Sequence, residues 1–146
     1  MMKKLVVGLS VGLLVLMVVL AAYVYITNRP LPQTEHDVAI LERTLVLLND
    51  TEAWSKSDDR RCEPEEIQRS LYCALRQASM DVSGAFHHRA AALQQVRYAI
   101  DAMKPNNAYE HRLMDFNNDP TVTLDDVHLM LRKSIYALEH FGRKRP

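Results

Sequence analysis

The stretch Asp115-Phe116-Asn117-Asn118-Asp119-Pro120-Thr121-Val122-Thr123-Leu124-Asp125-Asp126 comes closest, in residue types and spacing, to a binding site. Oxygen-bearing side chains at Asp115, Asn117, Asp119, Thr123 and Asp126 take the first, third, fifth, ninth and twelfth places of an EF-hand calcium loop, with apolar Val122 at the eighth. Such a loop gathers hard oxygens round one cation and turns sharply at its sixth place, where glycine is needed. Pro120 stands there instead, with φ locked at about −65°. Asp126 is also shorter than the bidentate glutamate that normally closes the loop. An Asp119-Pro120 turn, followed by a helix capped by Thr123 and Asp126, explains the same residues without an ion. No metal ligand is assigned on this pattern, and cation binding at 115–126 is kept as an alternative.

The six histidines, His36, His87, His88, His111, His128 and His140, form no His-x-x-x-His pair and no His-Glu-x-x-His motif. His87 and His88 are adjacent and diverge on a helix, so at most one of them joins a site with His111 or His128. The one Gly-x-Ser-x-Gly match, Gly8-Leu9-Ser10-Val11-Gly12, lies inside the apolar run 5–26 and not at a strand-to-helix turn, so it is no nucleophile elbow, and there is no glycine-rich phosphate loop. Glu65-Glu66 and Asp125-Asp126 sit in first turns of expected helices, where negative charge suits the helix dipole. No catalytic residue and no cofactor is assigned, and an enzyme built from dispersed His and Asp residues is a further alternative.

Cys62 and Cys73 are the two cysteines, with no Cys-x-x-Cys for a zinc ribbon or thioredoxin-type motif. Pro64 followed by Glu65, Glu66 and Ile67 looks like the first turn of a helix. That helix places Cys73 about 14 Å further along, at 1.5 Å per residue, whereas a disulfide needs α-carbons within about 7 Å. Cys73 is therefore expected to be a buried small hydrophobe, with a bridge to Cys62 as the less favoured option.

The elements that would position these residues are helical. Thr34 with Asp37 starts a helix whose Val38, Leu41, Leu45 and Leu48 share a face, ending at Asn49-Asp50. Residues 51–63 form a polar loop in which Trp54 packs back on the core. A second helix is expected over 64–80, with Ile67, Leu71, Ala74, Leu75 and Ala78 inward, then a break at Gly84. A third covers 85–103 and stops at Lys104-Pro105, and a short fourth covers 108–116. The last helix follows Thr123 and repeats Val127, Met130, Leu131, Ser134, Ile135, Leu138 and Phe141. No β pattern and no internal repeat is present, so the fold class is all-α: a compact bundle of four or five helices behind one N-terminal transmembrane helix.

That first helix is residues 5–26, a run of 22 residues without a charged side chain, against about 20 needed to cross a bilayer. The apolar run outlasts the short core of a cleavable signal. Lys3 and Lys4 precede it and Arg29 alone follows closely, which favours a cytoplasmic N-terminus and a periplasmic or extracellular domain. The expected order is a cytoplasmic flank over 1–4, an inner-membrane anchor over 5–26, a linker over 27–36, the helical domain over 37–141 and a basic tail over 142–146. With 18 Lys plus Arg against 18 Asp plus Glu, there is no global field to recruit nucleic acid. Arg143-Lys144-Arg145 reads as a solvated tail.

The order Leu47-Leu48 then Trp54, Tyr72-Cys73-Ala74-Leu75, and Phe116-Asn117-Asn118-Asp119-Pro120 with Thr123 and Asp126-Val127 resembles a family of small helical bacterial domains of unknown function. The resemblance covers most of 37–138, with Arg76 where the family prefers Gly. It implies the helical fold and carries no catalytic residues. The function expected from the sequence is that of a membrane-anchored, non-enzymatic module that contacts a protein partner, with Tyr98, Tyr136 or Phe141 as candidate contact residues.

Overall fold

In the computed structural model, residues 2–27 and 31–142 are described, with backbone alone for residues 2–13 and Thr27. The flanking Arg29 and the basic cluster Arg143-Lys144-Arg145 lie outside the described residues, as do the side chains of Lys3 and Lys4. The chain divides into two compact units, residues 1–30 and residues 31–146.

The first unit is one helix, α1 (Met2–Thr27). Its 26 residues rise about 39 Å at 1.5 Å per residue. The large apolar side chains over 14–26 are all exposed. Those described side chains cover about 20 Å, less than a hydrocarbon core of about 30 Å. Among the described residues, no helix is long and apolar enough to cross a membrane.

The second unit holds α2 (His36–Leu47), α3 (Leu71–Ser83), α4 (Ala91–Met103), α5 (Arg112–Asn118) and α6 (Leu124–Phe141). No strand is present among the described residues; a lone parallel bridge joins Trp54 and Arg69. Buried stripes at helical spacing build one core: Ile40 and Leu41 of α2, Leu71, Ala74, Leu75 and Ala78 of α3, Leu93, Val96 and Ile100 of α4, and Val127, Met130, Leu131 and Leu138 of α6. Phe116 of α5 and Leu48 are fully buried with them. α2 packs on α3 and α6, and α4 packs on α5 and α6.

The ends of α6 and α2 follow local chemistry. Thr123 Oγ1 accepts from the Asp126 N–H while Asp126 accepts from the Thr123 N–H, a complete capping box. Asp37 Oδ2 takes both the N–H (2.7 Å) and the hydroxyl (2.9 Å) of Thr34. Its other oxygen reaches across the domain to accept the Ala92 N–H at 2.7 Å. Asp37 is thus a buried carboxylate serving the first turns of two helices, and α4 has no cap from its own Ala90.

Three boundaries differ from expectation. α3 starts at Leu71 and not at 64, because residues up to Ser70 are used to return the chain to Trp54. Arg69 N donates to Ala53 O at 2.8 Å and Ser55 N to Arg69 O at 2.9 Å. Ser70 then caps the helix, its hydroxyl accepting from Cys73 N. Ile67, expected inward, is 83% exposed. α4 starts at Ala91 instead of 85; Phe86 reaches the core from the preceding loop and meets Tyr72 edge-on at 5.7 Å. α5 runs from Arg112 instead of 108, so Asn117 and Asn118 belong to its last turn. Gly84 does end α3, at φ 70°, a left-handed value that glycine adopts without strain.

The late start of α3 overturns the expectation for the cysteines. Cys73 lies in the first turn, the loop folds back beside it, and Cys62 and Cys73 form a disulfide with α-carbons 5.3 Å apart. Leu31 N donates to Arg89 O at 2.8 Å, so the described end of the expected linker is bonded to the domain.

Candidate functional site

The segment over 115–126 does not converge on a common centre. Asp115, inside α5, takes the His111 N–H at 2.7 Å and closes the start of its own helix. Asn117 is fully buried and points the other way, into the domain. Its Oδ1 accepts from Trp54 Nε1 at 2.8 Å and from Leu71 N at 3.0 Å, while its Nδ2 donates to Ser55 O at 3.0 Å. One amide side chain therefore joins the Trp54 loop, the start of α3 and the end of α5. Asn118 continues the seam: Oδ1 accepts from Asp58 N at 2.7 Å and Nδ2 donates to Asp58 O at 2.9 Å. Lys56 lies over the Trp54 ring and donates to Val122 O.

Asp119 is held by neutral donors. Oδ2 accepts from the Tyr109 hydroxyl at 2.5 Å and from Asn107 Nδ2 at 3.1 Å; Oδ1 accepts from Thr121 N and Oγ1 at 2.8 and 2.7 Å. The Tyr109 hydroxyl foremost, then Thr121, hold its carboxyl well below the usual carboxylate range. Desolvation, with the bond to Asp119 second, pushes Tyr109 up to about 12. Thr123 and Asp126 are engaged with each other, and the Thr123 N–H keeps the Asp126 carboxyl ionised to lower pH than usual. Of the five oxygen-bearing residues of the cation-binding alternative, each thus has a protein partner. No group of three or more His, Cys, Asp or Glu that could hold a metal occurs among the described residues.

The histidines gather at no single centre. His36 and His87 are exposed and line one small cavity beside the start of α2 and the end of α3. His88 stacks on Tyr72 at 6.0 Å, and His128 Nε2 bonds Leu48 O at 2.5 Å, fastening α6 to the end of α2. His111 begins α5, and His140 lies on the Tyr136 ring at 4.0 Å. Tyr98, Tyr136 and Phe141 are 53%, 55% and 76% exposed, and the last two meet edge-on at 6.0 Å. The end of α6 thereby presents three adjoining rings, Tyr136, His140 and Phe141.

Sequence reasoning did not anticipate the double capping by Asp37 or the inward orientation of Asn117. The Thr34-Asp37 spacing signals only half of the first; the bond to Ala92 spans 55 positions and has no local signature. Nor did it single out Arg60, Arg97 and Arg112, which are far apart in sequence and adjacent in the fold.

Fold and packing define the class: a small all-α domain in which five helices surround one core behind a separate N-terminal helix. Residues 32–137 match the Family of unknown function (DUF6197), and the chain belongs to that family. The match takes in Trp54, the Tyr72-Cys73-Ala74-Leu75 helix and the Asn117 to Pro120 turn that carried the resemblance. No curated protein and no solved structure matches the chain.

Proposed function

We propose that this chain is a single-pass inner-membrane protein that displays its helical domain on the outer side, where the domain contacts a protein partner. The observation that carries the reading is the Cys62–Cys73 disulfide, in a domain preceded by a run of 22 residues without a charged side chain. Disulfides persist in oxidising compartments such as the periplasm and are rare in the cytosol. Lys3 and Lys4 before the apolar run support a cytoplasmic N-terminus. The contact is assigned to Tyr136, His140 and Phe141, because aromatic side chains with a polar edge are enriched at protein interfaces.

The test is a photo-reactive side chain at Phe141 in the full chain, activated in intact cells and compared with the same chain lacking residues 1–27 and exported by a cleavable signal. One discrete adduct, abolished by Tyr136→Ala, supports the contact, and its loss without the anchor means that tethering organises it. No adduct in either form sinks the assignment. Maleimide labelling of Cys62 and Cys73 only after reduction supports the oxidising location; labelling without reductant counts against it.

A further inference from the structure

One cleft in the second unit brings three arginines together, with Leu113 and Met114 as its apolar lining. It measures about 160 Å³ and gathers Arg60 from the loop before α3, Tyr72 of α3, His88 from the next loop, Arg97 of α4, and His111 and Arg112 at the start of α5. Arg97 is half-buried, and its Nη1 donates only to neutral oxygens, His88 O and Gln94 Oε1, each at 2.8 Å. Among the described residues neither Arg97 nor Arg60 has a carboxylate within ion-pair distance. Arg112 has one, Asp101 at 2.7 Å, with both side chains nearly half exposed, where solvent screens the pair. Glu110, an exposed residue, is the one carboxylate among the described residues of the lining.

A half-buried guanidinium beside a second one is unfavourable without a counter-charge. Burial, and after it the charge of Arg112, weaken the hold of Arg97 on its proton. Arg60 is placed by several restraints. Its φ is +63°, the one positive value at a non-glycine among the described residues, its N–H donates to Asp58 Oδ1 at 2.8 Å, and the disulfide at Cys62 ties the loop to α3 two residues later. Planar guanidinium forks match the oxygens of phosphate in pairs. Pockets for drug-sized molecules run to about 300–1,000 Å³, so this cleft suits a single tetrahedral ion or one headgroup.

We propose that the cleft formed by Arg60, Arg97 and Arg112 binds a phosphate-type oxyanion, either as the free ion or as the phosphomonoester headgroup of a lipid. The site is independent of the aromatic contact at the end of α6.

The probe is the arginine Nε–H NMR signals of the full chain, disulfide intact, in nanodiscs. One arm titrates inorganic phosphate into phosphatidylcholine discs at constant ionic strength set with sodium chloride. The other replaces a tenth of the lipid with phosphatidic acid. Saturable shifts of Arg97 and Arg112 with inorganic phosphate mean a free-ion site. The same shifts only in phosphatidic acid discs mean a headgroup site. Arg97→Gln is expected to weaken the response at least tenfold. Arg60→Asn, at an exposed position where Asn tolerates positive φ, is expected to weaken it at least threefold with unchanged thermal unfolding, which keeps the test decisive if Arg97→Gln fails to fold. No shift in either arm, an equal shift with added chloride, or a response that Arg60→Asn leaves intact overturns the proposal.

Discussion

At the scale of single residues, Asn117 is the side chain on which the most separate pieces depend. Asn117→Ala leaves the buried Leu71 N–H and the Trp54 indole N–H without an acceptor and the Ser55 carbonyl without a donor. A buried polar group stripped of its partner costs about 1–3 kcal/mol, so a loss of about 3 kcal/mol is expected in urea unfolding; a loss below about 1 kcal/mol contradicts the hub. Asp119 and Tyr109 give a pH signature of known sign. The Asp119 carboxyl is depressed, so its contribution is complete above the ordinary aspartate value of about 3.9 and is lost as pH falls through the lower folded value. Tyr109 is raised to about 12, so its contribution is complete below about 10 and is lost between there and 12. Tyr109→Phe should move acid unfolding, followed by circular dichroism, to higher pH and remove the alkaline loss. For calcium, binding at 115–126 requires Asp119 to give up four hydrogen bonds and Asn117 to turn out of the core. Calorimetry with millimolar calcium is therefore expected to show no saturable heat, and a saturable isotherm lost in Asp119→Ala would restore the cation reading.

At the scale of elements, legibility depended on whether a boundary is set locally. α6 was readable because Thr123, Asp126 and an apolar stripe at helical spacing all act within a few turns. α2 was readable for the same reason at Thr34 and Asp37. The start of α3 was not, because Pro64-Glu65-Glu66 imitates a first turn while the controlling bonds are to Ala53, Ser55 and Asn117, up to 46 positions away. That single misplaced boundary also hid the disulfide and the inward direction of Asn117, since both depend on the chain folding back before Leu71. The bridge closes a loop of separation 11, for which loop entropy gives a stabilisation of about 2–3 kcal/mol. Cys62→Ser with Cys73→Ser should lower stability by that amount while far-UV circular dichroism at 20–25 °C stays helical, because the disulfide fixes a loop and not the core stripes. A loss of helix signal at those temperatures would mean that the bridge nucleates α3.

For the whole molecule, the two units pose separable questions of folding and address. Among the described residues, those of the buried core run from Ile40 to Leu138, so a chain beginning at Leu31 has the means to fold alone. Whether α1 holds the full chain in a membrane is decided by magnitude. Residues 5–26 contain fourteen Leu, Val and Ile residues; at about −0.3 to −0.6 kcal/mol each on an insertion scale they sum to roughly −4 to −8 kcal/mol. One arginine near the centre costs about 2.5–3.5 kcal/mol, less than that sum. Leu16→Arg alone should therefore leave the chain in the carbonate-resistant membrane pellet, whereas Leu14→Arg combined with Val18→Arg, at a cost of about 5–7 kcal/mol, should move a large part of it to the supernatant. Release of the unaltered chain by carbonate would remove the anchor, and with it the tethered geometry of the partner contact, while leaving the fold of residues 31–142 and its arginine cleft untouched.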